Sequence, residues 1–231
     1  KFIVPAVDKM LTDKVGKDET ISAYFISIPN ADGSASTTLW SCHTDTVHAS
    51  ADSGKLHRQR VMVDHHKGEL FKIDNKPLGA DDGAGVWLLL EMIAAKVPGT
   101  YIFHRGEEKG GIGSKAVAKN FPSWLKTFTH AIAFDRKKDC SVITFQLSGR
   151  CCSDKFANQM SQLLTDEDCT YILAPDDGGI FTDTANYIDL IPECTNISIG
   201  YDNEPSGAET RDVKYLLWLR DRMVSVFGAA D

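Results

Sequence analysis

The sequence predicts an α/β fold: a mixed, mostly parallel central sheet with helices on both faces. Three observations predict it. Strand-like and helix-like patterns alternate along most of the 231 residues. Segments such as Thr100–His104 and His130–Phe134 read as buried strands. The residues best suited to chemistry fall at predicted strand ends or helix starts, where sheets of this class gather their sites.

Phe2–Leu11 has helical apolar spacing, and Ile21–Ile28 reads as a strand followed by a loop from Asn30. Thr37–Cys42 is a short strand that delivers His43, and Glu69–Asp74 is another strand. Gly83–Ala95 is an amphipathic helix with Val86, Leu89, Leu90 and Ile93 on one face. Thr100–His104 runs directly into Glu107 and Glu108, and Gly113–Asn120 is helical. His130–Phe134 ends at Asp135, and Ser141–Gln146 is a further strand. Asp154–Leu164 is a helix packed through Phe156, Met160 and Leu163. Cys169–Leu173 and Asn196–Gly200 are strands, and Thr210–Phe227 closes the chain as a helix with Leu216, Leu219, Met223 and Phe227 inward. No repeat, low-complexity tract or linker divides the sequence, so residues 1–231 read as one domain.

Composition narrows the function classes. Hydrophobic content of 42% and charged content of 25% suit a soluble globular chain. A net charge of −7 argues against general nucleic-acid binding or attachment to an anionic membrane. No apolar run approaches the roughly 20 residues that span a bilayer, and no signal peptide is visible. Cys42, Cys140, Cys151, Cys152, Cys169 and Cys194 have no regular spacing and no CxxC. They read as reduced thiols in a cytoplasmic protein.

The candidate site is built from His43, Asp45, Asp81, Glu107, Glu108 and Asp135. Zinc takes imidazole nitrogen and carboxylate oxygen, and a free carboxylate beside it can move a proton. Alone, HTD at His43 would be a polar surface turn, but with the other motifs His43 reads as a ligand, and Asp45 is close enough to fix its second nitrogen. Asp81 precedes a helix and so competes with a capping role. Asp82 is the better cap, which leaves Asp81 to bridge two metals. Glu107 and Glu108 repel when both are ionised. If Glu108 binds metal its charge is compensated, and Glu107 is then free to act as general base. Asp135 reads as a ligand over an ion pair with Arg136. His104 is a candidate to support the Glu pair, His130 reads as structural, and His57, His65 and His66 read as solvated.

With these residues in hand, the chain from about Thr38 to Glu209 resembles the co-catalytic zinc exopeptidases. These are the aminopeptidases and carboxypeptidases that include bacterial leucyl aminopeptidase and peptidase T. HTD at His43, GADDGAG at Asp81, GEEKGGIGS at Glu107 and FD at Asp135 carry the resemblance, together with GGIFTDTANYIDLIPECTNISIGYDNE. It implies a three-layer sandwich, a short-peptide substrate and one zinc held by His43, Asp81 and Asp135. It implies a second zinc held by Asp81, Glu108 and a C-terminal His, with Glu107 as base and Asp45 supporting His43. Many relatives carry an inserted lid or dimerisation domain; this chain is expected to be the catalytic domain without one. Arg150 and Asp183, in segments similar to the family, are candidates to hold a substrate terminus.

One departure bears on the metal. Relatives place the last zinc-binding His in a context like NEHS, whereas this chain reads NEPSGAE, with Pro205 at that position and no His after His130. The second site is therefore expected to be weak, with Glu204, Asp202 or His48 as candidate substitutes. The functional expectation is an aminopeptidase. A deacylase or carboxypeptidase, and a non-catalytic peptide-binding relative, are the alternatives.

Overall fold

The computed structural model describes residues 9–15, 18–47, 60–146, 149–165 and 168–228. The strands are β1 (Lys9–Val15), β2 (Asp18–Ile28), β3 (Thr38–His43), β4 (Val61–Asp64), β5 (Glu69–Lys72), β6 (Gly99–His104), β7 (His130–Arg136), β8 (Ser141–Ile143), β9 (Phe145–Gln146), β10 (Gly149–Arg150), β11 (Ala174–Asp176), β12 (Glu193–Ser198), β13 (Tyr201–Asp202) and β14 (Thr210–Asp212). The helices are α1 (Ala80–Ala94), α2 (Ile112–Asn120), α3 (Pro122–Leu125), α4 (Asp154–Leu164) and α5 (Val213–Phe227), with a 3-10 turn at Asp183–Tyr187.

Eight strands form one sheet in the order β1-β2-β6-β3-β7-β12-β8-β11. The central run β6-β3-β7-β12 is parallel, and β1 and β2 close one edge antiparallel. The sheet's two faces follow from period-2 alternation in strands that bury both sides. Trp40, Cys42, Tyr101, Phe103, Ile132 and Phe134 pack against Leu88, Leu89 and Met92 of α1, Met160 and Leu164 of α4, and Leu219 and Met223 of α5. Their sequence neighbours Leu39, Ile102 and Ala131 face the other way, onto Val117 of α2, Leu125 of α3 and Tyr187. The result is the expected three layers. A smaller sheet, β13-β14-β5-β4, lies beside the main one.

Several boundaries differ from expectation. Residues 2–8 of the expected first helix lie outside the described residues, and Lys9–Leu11 pairs with Phe25–Ala23 as edge strand, so long-range pairing prevails over local apolar spacing. Cys169–Leu173 is not a strand; Cys169 has φ 49°, which breaks an extended run, and the strand starts at Ala174. Ser141–Gln146 is interrupted at Thr144: Ser141–Ile143 pairs with β11, whereas Phe145–Gln146 pairs with Gly149–Arg150. The closing helix starts at Val213, because Thr210–Asp212 pairs with Phe71–Glu69 and the Asp212 side chain caps α5 by accepting the Tyr215 N–H. Leu163 is exposed, and Leu164 takes its place in the core. Among the described residues no helix is long and apolar enough to cross a membrane. The six cysteines form no disulfide.

Candidate metal centre

Strands β6, β3 and β7 lie side by side, with His43 in register with His104 and Ser41 with Ala133. Their carboxyl ends therefore open onto one place. His43 is the last residue of β3, and Asp135 is the next-to-last of β7. Asp81 enters from the start of α1. Helix α1 can lie this close to β7 because residue 85 is glycine: a Cβ there would collide with the Asp82 carboxylate and the Phe134 carbonyl.

The three side chains converge. His43 Nε2 lies 3.1 Å from Asp81 Oδ1 and 3.4 Å from Asp135 Oδ1. One ligand atom from each of the three sits within 4.8 Å of the others. Ligands about 2.0–2.2 Å from a tetrahedral zinc stand roughly 3.3–3.5 Å apart, so these two separations are near what a shared ion requires. The donor set is one imidazole and two carboxylates, which suits zinc.

The surroundings hold these three side chains firmly. The ring's other nitrogen, Nδ1, is 2.8 Å from the Asp45 carbonyl, while the Asp45 carboxylate is 3.7 Å away. Support for His43 therefore comes first from the backbone of Asp45. Tyr201 Oη donates to Asp135 Oδ1 at 3.0 Å, and Thr182 Oγ1 donates to Asp135 Oδ2 at 2.6 Å. Asn196 brackets the same residue, accepting the Asp135 N–H and donating to its carbonyl. Asp82 fills the capping role: it accepts the Gly85 N–H at 2.9 Å and also the His43 N–H at 3.1 Å.

Glu107 and Glu108 sit on a turn closed by Gly110 and Gly111, both at left-handed φ. Glu107 lines the same cleft as Asp81 and Asp135, a space of about 160 Å³ also bounded by Arg136, Gln146 and Glu204. Glu108 Oε1 is buried and has no hydrogen-bond partner among the described residues.

The electrostatics show carboxylates crowded beyond what one imidazole compensates. Burial, and then Asp135, push Glu107 up to about 9. Burial and Asp81 push Glu108 up to about 7. Burial raises Asp81 to about 6, against the hydrogen bond from His43. Burial opposes charge on His43, but Asp135, Asp45 and Asp81 together raise it well above the ordinary value. Asp45 goes the other way: burial would raise it, yet His43 and the N–H groups of Gly106 and Glu107 bring it to about 2. A divalent cation at the cluster would relieve this repulsion. The residues present fit zinc.

Other sequence candidates lie elsewhere. Arg150 pairs with Asp154 at 2.7 Å and stacks over the Phe145 ring; it is not among the residues lining the cleft. Asp183 is 1% exposed, beneath the site beside His104, and is not among the lining residues either. His104 is buried against Tyr187 Oη at 2.6 Å, and His130 stacks on Phe156. His65 and His66 are exposed; His48 and His57 lie outside the described residues. Pro205 and Asp202 are exposed, whereas Glu204 reaches the cleft, with Oε1 3.3 Å from Lys137 Nζ and Oε2 buried without a hydrogen-bond partner. Sequence reasoning missed Thr182, Tyr201 and Asn196. Each lies within or just after a strand or segment it did identify, but nothing in their spacing marks them as partners of Asp135.

No protein-family model matches the sequence, and no curated protein does. Solved structures do. Aminopeptidase PepT from Bacillus cereus ATCC 10987 aligns with a TM-score of 0.66 at 13% identity, over 90% of this chain and 84% of that one. A tripeptidase from Staphylococcus aureus subsp. aureus Mu50 aligns with a TM-score of 0.64 at 12% identity, over 89% and 83%. The TET1 peptidase of Pyrococcus horikoshii, which can assemble into a tetrahedron or a large octahedral shell, aligns with a TM-score of 0.64 at 14% identity, over 97% and 91%. In the dodecameric PhTET1-12s structure the chain spans 54% of its counterpart. At these identities the likeness speaks for architecture: the chain is built on the fold that these aminopeptidase, tripeptidase and TET peptidase structures share.

Proposed function

We propose that the chain is a zinc-dependent exopeptidase, an aminopeptidase that removes the N-terminal residue of short peptides. The observation that carries this reading is the convergence of His43, Asp81 and Asp135 at the strand ends, with Glu107 on the same cleft. The shared fold with aminopeptidase and tripeptidase structures supports it.

Zinc, when bound, supplies Lewis-acid polarisation of the scissile carbonyl and makes water more acidic. The protein does the rest. His43, Asp81 and Asp135 would hold the ion, and Glu108, with a buried oxygen lacking a hydrogen-bond partner among the described residues, is the candidate for a second, weaker position beside Asp81. Glu107 takes the proton from the attacking water and returns it to the leaving amine. Its raised carboxyl suits that shuttle, since added positive charge nearby draws it down toward neutrality. Asp45 orients both halves, fixing His43 through its carbonyl and the Glu107–Glu108 turn through its carboxylate.

The test is turnover of a panel of short peptides, N-blocked peptides and N-acyl amino acids by zinc-loaded protein. Release of free N-terminal residues from unblocked peptides is expected. Preference for N-acyl or C-terminal cleavage would reassign it as a deacylase or carboxypeptidase. The exposed proline at position 205 favours a second reading, a peptide-binding protein without turnover, and zinc binding with no hydrolysis would select that reading.

A further inference from the structure

The backbone that presents Asp81 is not helical. Asp81 has φ −85° and ψ 105°, and Asp82 has φ −112° and ψ 37°. Gly79, which opens this non-helical stretch ahead of the Asp82 cap, has φ 78° and no side chain to hold the backbone. The first N–H groups of a helix have no partners within it, and here the stretch that carries a metal ligand also lacks the helical ladder to hold its shape.

Glu209 supplies what is missing. It is 2% exposed and comes about 130 residues later. Its Oε2 accepts the N–H of Leu78 at 2.7 Å and of Gly79 at 3.1 Å. Its Oε1 accepts the N–H of Ala80 at 2.7 Å and of Asp81 at 3.3 Å. Both oxygens are thus engaged by four consecutive N–H groups. Glu209 is itself held in place: its own N–H donates to the Ser206 carbonyl, and Thr210, the next residue, opens β14 in register with Phe71. The carboxylate ties the smaller sheet to the loop that aims Asp81 at His43.

We propose that Glu209 is a positioning residue that sets how tightly His43, Asp81 and Asp135 hold zinc, by fixing the backbone from Leu78 to Asp81. This rests on the metal reading given above. Metal-ligand affinity depends on such outer partners by about 10- to 100-fold. Glutamine has the shape of glutamate, but its amide group is a donor where two of the four N–H groups need an acceptor. E209Q is therefore a sharp probe.

The experiment is a zinc titration by chelator competition on wild type, E209Q and a control, S153A. Ser153 caps α4 by accepting the Phe156 N–H, outside the cleft lining. The thermal midpoint of each metal-free protein is measured alongside. E209Q is expected to weaken zinc binding about 10- to 100-fold and to alter the visible absorption of the cobalt-substituted protein. S153A is expected to lower the midpoint and leave zinc affinity unchanged. Zinc affinity in E209Q indistinguishable from wild type would overturn the proposal, whatever happened to the midpoint. If E209Q does not fold, E209D carries the same test, since it keeps the charge and shortens the reach. A wild-type protein that binds no zinc would overturn the metal reading itself, and that result is visible before any variant is compared.

Discussion

Asp45 Oδ1 accepts the backbone N–H of Glu107 at 3.1 Å, so the residue two positions after His43 also holds the turn carrying the proposed base. The same oxygen takes the Gly106 N–H at 2.7 Å, and Oδ2 takes the Glu108 N–H at 3.3 Å. Substituting Asp45 with Asn leaves one acceptor for three donors. D45N is expected to fold, bind zinc and lose about 10- to 100-fold in turnover, as measured by steady-state kinetics at saturating zinc. The sign of its acid response follows from a depressed carboxyl. The stabilisation is present above the unfolded value near 4 and is lost as pH falls toward about 2. Wild type should show that acid loss in metal-free unfolding curves, and D45N should show less of it.

Glu107→Gln removes the proton carrier and keeps the shape of the turn. Zinc affinity should stay close to wild type while turnover falls by about 100- to 10,000-fold. Wild-type rates in zinc-saturated buffer would remove Glu107 from the base role.

Asp183 and His104 approach to 3.3 Å, yet they are not an ion pair near neutrality. Burial pushes Asp183 up to about 7 and His104 down to about 3, so both are neutral between those values. For the raised acid, the unfolded chain ionises first, so stability falls as pH rises from about 4 to about 7. For the depressed His, the unfolded chain protonates first, so stability falls as pH drops from about 6.5 to about 3. D183N should remove the first slope only. Its stability relative to metal-free wild type should rise between about pH 4 and about pH 7, read from denaturant unfolding at several pH values. A flat difference would contradict the buried neutral acid.

The His43, Asp81 and Asp135 cluster is the only group of three or more potential ligands that meets at one point among the described residues. One tight zinc per chain is therefore expected. Pro205→His should raise the stoichiometry, because position 205 directly follows Glu204, which lines the cleft beside Asp81. Two equally tight ions in the unmodified protein would contradict this asymmetry and would point to Glu204 as a ligand.

The central sheet and the convergence of His43, Asp81 and Asp135 are legible because they rest on local signals. His43 and Asp135 follow apolar strands, and parallel register carries such residues to one edge. Asp82 could be separated from Asp81 because a cap must reach back to its own helix, and it does, at Gly85. What was not legible is set by distant pairing. The strand at Lys9–Val15 exists through β2, and Glu209 reaches Leu78–Asp81 across about 130 residues. Arg150 and Asp183 are polar residues in segments similar to the family. The first found a neighbour at i+4 and the second was buried, and no local pattern separates those fates from a place on the cleft wall.

The central claim is that zinc at His43, Asp81 and Asp135 makes this cleft a peptidase. The most direct measurement is release of the N-terminal residue from an unblocked tripeptide as zinc is titrated into metal-free protein. The account predicts no release without metal and a rate that climbs to its plateau as the first zinc equivalent binds, lost again in H43A. Full zinc occupancy with no release from any peptide, or release that survives metal removal, would contradict it.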